Sequence, residues 1–177
     1  MTPALADTTL HVPTLLLTGW ACSIAYFDVR FRRIPNMLSL GAWVIATSIL
    51  VAQRVSLLGA PASSALLGAG LALLLTLPGY MTRRLGAGDV KYLVAIALLT
   101  SFDTTLWCFI VAALAGGLAA VLWLNAHNAA RLIPDRAKVW RTRLTQWSEA
   151  TDMRSRMPFG PLLSLGLIVV LWVGPRS

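Results

Sequence analysis

The sequence predicts an all-α membrane protein of six transmembrane helices, and three observations carry that reading. Of its 177 residues, 57% are apolar and only 12% are charged, and the mean hydropathy of +0.71 lies outside the range of an ordinary soluble domain. Apolar runs follow one another along the whole chain. Basic residues gather in alternate loops, as they do in polytopic proteins.

Apolar runs fall at about 8–27, 37–52, 64–81, 90–102, 104–124 and 159–174. A spanning helix needs about 20 mostly apolar residues, so six of them take up roughly two thirds of the length and leave room for one domain, residues 1–177. No Lys or Arg precedes the first run, which therefore lacks the basic start of a cleaved signal peptide and reads as a retained span. The fourth and sixth runs are short. Thirteen residues of helix rise only about 20 Å against a hydrocarbon core of about 30 Å, so the start of the fourth helix, with Asp89, is expected at or just inside the membrane boundary.

Loop charges set the orientation. If all six runs span, one side holds Arg30, Arg32, Arg33, Arg83, Arg84, Lys91, Arg131, Arg136, Lys138, Arg141, Arg143, Arg154 and Arg156, and the other keeps only Arg54 and Arg176. The rich side is cytoplasmic by the positive-inside rule. Both termini are then periplasmic, with inner loops near 28–36, 82–91 and 125–158. The last is a basic cytoplasmic loop in which Val139, Trp140, Leu144 and Trp147 can share one face of an amphipathic helix on anionic lipid, or serve as interfacial tryptophans in a solvated loop. The net charge of +8 belongs to this asymmetry, and no nucleic-acid partner is expected.

Several residues read as packing. Gly68, Gly70, Ala113, Gly116, Gly117 and Ala120 recur at spacings that let helix backbones approach closely. Cys22 and Cys108 have no partner nearby in sequence and read as small core residues. His11 and His127 have no second ligand near them, so no metal site is expected. GxSxG and HExxH patterns are absent, which removes the serine and zinc schemes of membrane proteolysis.

Chemistry concentrates on two of the seven acidic residues. Asp28 ends the first run and Asp89 begins the fourth, so the topology brings both to the cytoplasmic membrane boundary, where an acidic group is expensive. For Asp89 the alternative is a helix N-cap before Val90. For Asp28, whose charge opposes the macrodipole of a helix C-terminus, it is an ion pair with Arg30 or Arg32. Paired carboxylates at such a place can work as a dyad, one taking a proton from water while the other donates one to a carbonyl. Gly86 and Gly88, around Ala87, suit close approach of an extended peptide backbone. Pro35, in RRIPN at 32–36, is expected at the N1 position of the second helix. MPFGP at 157–161 is expected to give the last helix an irregular entry at the inner face.

Together these segments resemble the type IV prepilin peptidases, of the GxGD class of membrane aspartyl proteases. FDVRFRRIPN is similar to that family's first aspartate segment, GAGDVKYL to its second, and PFGP to the entry of its final helix. The resemblance, from about Ala21 to Leu167, implies catalytic roles for Asp28 and Asp89 and supporting ones for Gly86, Gly88, Lys91, Pro35, Asn36, Pro158 and Gly160. It implies a cofactor-free hydrolase of the bacterial inner membrane that removes leader peptides from prepilins or pseudopilins. The chain lacks the loop with two CxxC pairs found in larger, N-methylating members, and so resembles the short Tad or Flp-pilus type. Two other readings remain at this stage: a structural subunit of a pilus or secretion assembly, and a small proton-coupled transporter using the same carboxylates.

Overall fold

The computed structural model describes residues 3–31, 33–83, 85–132 and 159–174. Among them the chain forms six helices: α1 (Pro3–Phe31), α2 (Asn36–Gln53), α3 (Ala62–Met81), α4 (Ala87–Leu99), α5 (Phe102–Leu132) and α6 (Phe159–Val173). Each coincides with one of the six apolar runs. Four contain stretches long and apolar enough to cross a membrane: Val12–Phe31, Asn36–Gln53, Ala62–Met81 and Phe102–Leu122. With 13 and 15 residues, α4 and α6 rise only about 20 Å each.

Two helices outrun their apolar cores. α1 begins five residues before the expected start and continues four beyond the expected end, while α5 runs eight residues past its apolar run. A helix satisfies its own backbone hydrogen bonds, so it can continue through polar residues wherever nothing interrupts it. The basic segment 133–158, where an amphipathic helix was one expectation, lies outside the described residues.

The short fourth helix is the centre of the bundle. Tyr92, Leu93, Val94, Ala95, Ile96, Ala97, Leu98 and Leu99 are buried without a break, as in a helix covered on every side. It packs against α2, α3, α5 and α6 and meets α1 where Trp20 and Tyr92 stack edge to face, 5.1 Å apart. Around it, α1 lies on α6, α6 on α5 and α5 on α3. Leu16, Val44, Leu74 and Leu122 point outward and are exposed, the side a bilayer would cover.

Glycines admit some of the closest crossings. A methyl group on Gly166 would strike the Cys108 carbonyl of α5, one on Gly68 would stand 3.2 Å from Cα of Phe102, and one on Gly116 would stand 3.1 Å from Leu162. Gly70 and Gly117, grouped with them from their spacing, face open space. Cys108 is buried as expected, but Cys22 is exposed, because it lies off the stripe that α1 turns inward. At the far end from the aspartates, α2 stops at Arg54, which adopts a left-handed conformation with φ 62°. The turn to α3 closes with Ser56 N–H donating to Ala60 O at 2.7 Å and Gly59 at φ +86°, where a side chain would be strained.

Candidate active site

α1 turns a narrow stripe to the core: Leu17, Ala21, Ile24 and Asp28 are buried at spacings of four, three and four, the repeat of one helix face. Asp28 is the last member of that stripe. Only 7% of it is exposed, and its Oδ2 is buried without a hydrogen-bond partner, which is rare enough in folded proteins to call for a reason. Arg30 does not supply an ion pair. Its guanidinium lies 5.6 Å from the ring centre of Phe31, and Arg32 falls outside the described residues. The ion-pair alternative therefore fails for Arg30, since side chains two apart on a helix point to different faces.

Asp89 lies at the start of α4, as expected, but not as its N-cap. The N-cap of α4 is Gly86, and Asp89 is the third helical residue, reaching back so that its Oδ2 accepts the Gly86 N–H at 3.1 Å. This is the carboxylate half of a capping box, and a negative charge is favoured at a helix N-terminus. Asp89 does cap, but from inside the first turn. That leaves it partly buried and within electrostatic reach of Asp28. One carboxylate thus comes from the end of a helix and the other from the start of another.

Three uncharged residues surround the pair. A methyl group on Gly160 would stand 2.6 Å from Asp28 Oδ2 and 3.3 Å from Ile34 Cδ1, and the Gly160 backbone amide approaches the Asp28 carboxyl group. A methyl group on Gly88 would stand 3.3 Å from Ile34 Cβ. The space at Gly88, expected to admit a substrate backbone, is therefore taken by a side chain of the same chain. Gly160 and Pro161 lie within the first turn of α6, so the irregular entry expected of PFGP does not include them. Proline is tolerated there because the first amides of a helix need no partner. Met157 and Pro158 lie outside the described residues.

The remaining motif residues brace α2 against α4. Pro35 is the N-cap of α2, at φ −60° and ψ 130°, one position before the expected N1. Asn36, the first helical residue, accepts from Lys91 Nζ at 3.3 Å, and the Lys91 carbonyl accepts from Trp43 Nε1 at 2.9 Å. One turn deeper, the hydroxyls of Tyr92 and Ser164 are hydrogen-bonded at 2.8 Å, fixing α6 to α4. Ile34, Trp43 and Ser164 have no distinctive chemistry, and sequence reasoning passed over them. The one signal for Ile34 was its place inside RRIPN. No three His, Cys, Asp or Glu side chains cluster as metal ligands among the described residues.

A family model, that of the type IV leader peptidase family, matches residues 15–121, more than half of the chain and a stretch that includes both aspartates. The chain belongs to the type IV leader peptidase family. Membership implies protease activity on peptide substrates, and the four apolar helices long enough to span accord with a multi-pass membrane protein. No curated protein and no solved structure matches the chain.

Proposed function

We propose that the chain is a prepilin leader peptidase that hydrolyses the leader bond of type IV prepilins or pseudopilins with Asp28 and Asp89 as its catalytic dyad. The observation that carries this reading is the meeting of those two carboxylates, from opposite ends of different helices and within electrostatic reach of each other, in a member of the leader peptidase family. Two such groups share one proton. The ionised one takes a proton from water, which attacks the scissile carbonyl, while the protonated one donates its proton to the carbonyl oxygen; as the tetrahedral intermediate collapses, the first aspartate passes the water's proton to the leaving amine and the second regains its own. The pair titrates as a unit. No cofactor is needed.

On this reading the chemistry takes place at the cytoplasmic face of a bacterial inner membrane, in one peptidase domain of residues 1–177 with six spans and both termini periplasmic, an orientation that the asymmetry of loop charge supports. Gly86 and Gly160 accommodate the two carboxylates, while Pro35, Asn36 and Lys91 brace the inner ends of α2 and α4. The substrates are prepilins or pseudopilins of a Tad or Flp-like system. Their apolar helices lie in the bilayer while the leader junction meets the aspartates.

Co-expression with such a prepilin tests the proposal by the mobility shift that marks leader removal. Asp28→Asn and Asp89→Asn should each abolish the shift at unchanged protein level, whereas Asp103→Asn should retain it. Full processing by either of the first two variants would remove that residue from the dyad. Reporters near Gln53 and after Ser177 should read periplasmic and one near Ala137 cytoplasmic; the opposite pattern would overturn the orientation.

A further inference from the structure

We infer that Ile34 is a positioning residue, a spacer that sets the separation of the two aspartates. The inference rests on the dyad reading above and adds a residue that the motifs' acids and glycines do not include. Ile34 lies in the short link between α1 and α2, half-buried. It touches both halves of the site at once: its Cβ faces Gly88, the neighbour of Asp89, and its Cδ1 faces Gly160, on which Asp28 Oδ2 lies. The contacts are close on both sides, with 3.3 Å from Ile34 to the position a methyl group would take on either glycine.

The residue type suits the task. An isoleucine has two heavy atoms on Cβ and is stiff about χ1, so it transmits a distance where a longer unbranched chain would bend. Pro35 follows it, and a residue before proline is held in extended backbone. The two glycines present no side chain that could yield. The entry of α4, the entry of α6 and the end of α1 are thereby registered against one short, rigid side chain. A dyad that must share a proton and hold one water is sensitive to such a distance, since displacements of about 1 Å can cost a hundredfold in rate.

The experiment is steady-state cleavage of a prepilin by purified full-length protein in lipid or detergent, comparing Ile34→Val, Ile34→Ala and Leu167→Ala. Wild-type cleavage and its loss in Asp89→Asn establish the dyad reading first; without them that reading fails, whatever Ile34 does. Ile34→Val removes Cδ1, the Ile34 atom nearest the methyl position on Gly160 and also 3.5 Å from that on Gly88, and should lower kcat about threefold. Ile34→Ala should lower it tenfold or more. KM should stay within about twofold in both, because the substrate's binding surface is left in place. Leu167 is fully buried two turns deeper on α6, so Leu167→Ala opens a core cavity away from the aspartates. It should reduce thermal stability and leave kcat unchanged. Unchanged kcat in both Ile34 variants would overturn the inference, as would an equal kcat loss in Leu167→Ala. If Ile34→Ala does not accumulate, the Val variant decides alone.

Discussion

Gly160 and Gly166 lie on the same helix, fewer than two turns apart, and both are buried, yet they do different work. At Gly166 the missing side chain lets α5 come so close that a methyl group would strike the Cys108 carbonyl. At Gly160 it leaves room for a carboxylate oxygen and the tip of Ile34. One glycine brings two backbones together and the other seats a functional group. The difference lies in what occupies the space: backbone cannot move aside without moving a helix, whereas a side chain can, at the cost of its geometry.

That comparison can be broken by substitution. Gly160→Ala should leave the protein inserted and folded but lower cleavage about a hundredfold, the scale of a 1 Å displacement of a reacting group; normal cleavage at equal protein level would show that Asp28 does not depend on this seat. Gly166→Ala should do the reverse, losing about 1–3 kcal/mol by overpacking, read as a fall in thermal midpoint with kcat preserved in the surviving enzyme. Gly88→Ala meets a side chain at 3.3 Å and should cost roughly tenfold in rate, about 1.4 kcal/mol of barrier. Gly88→Val, with more atoms to place, should be inactive. Smallest of all, Gly117→Ala meets nothing within 4 Å and should stabilise α5 by about 0.5–1 kcal/mol, the usual gain over glycine inside a helix. A damaging Gly117→Ala would place an unseen partner on that face.

Much of this architecture is legible in the sequence, because length and hydropathy alone mark helices that must hide their backbones from lipid. The six runs, the shortness of α4 and the pairing of Asp28 with Asp89 follow from that rule and from loop charge. Where the reading failed, it needed a neighbour that hydropathy does not name. Gly70 and Gly68 have the same composition around them, but only Gly68 faces Phe102. Cys22 and Cys108 both sit in apolar runs, and only helix rotation separates the exposed one from the buried one. Asp89 was displaced from the cap because Gly86 starts the helix earlier. Ile34 carried no signal beyond its place inside RRIPN, because an isoleucine at an inner boundary looks like any other apolar residue until the two glycines are seen on either side of it.

The central position of α4 has a consequence for how the protein comes into being. Its thirteen residues carry Asp89 and Lys91 near the start, a weak signal for entering lipid alone, and a short connection ties it to α3 with Leu85 N–H donating to the Gly79 carbonyl at 3.0 Å. In a bilayer the two are expected to enter as a hairpin, before two of the helices that enclose α4 have been synthesised. Both carboxylates precede those helices in the chain. Gly160 comes last in the order of translation, so the seat of Asp28 forms only when α6 docks. If Asp28 and Asp89 are the dyad, a nascent chain held at the ribosome contains its acids before the surface that orders them, and cleavage waits for the final helix.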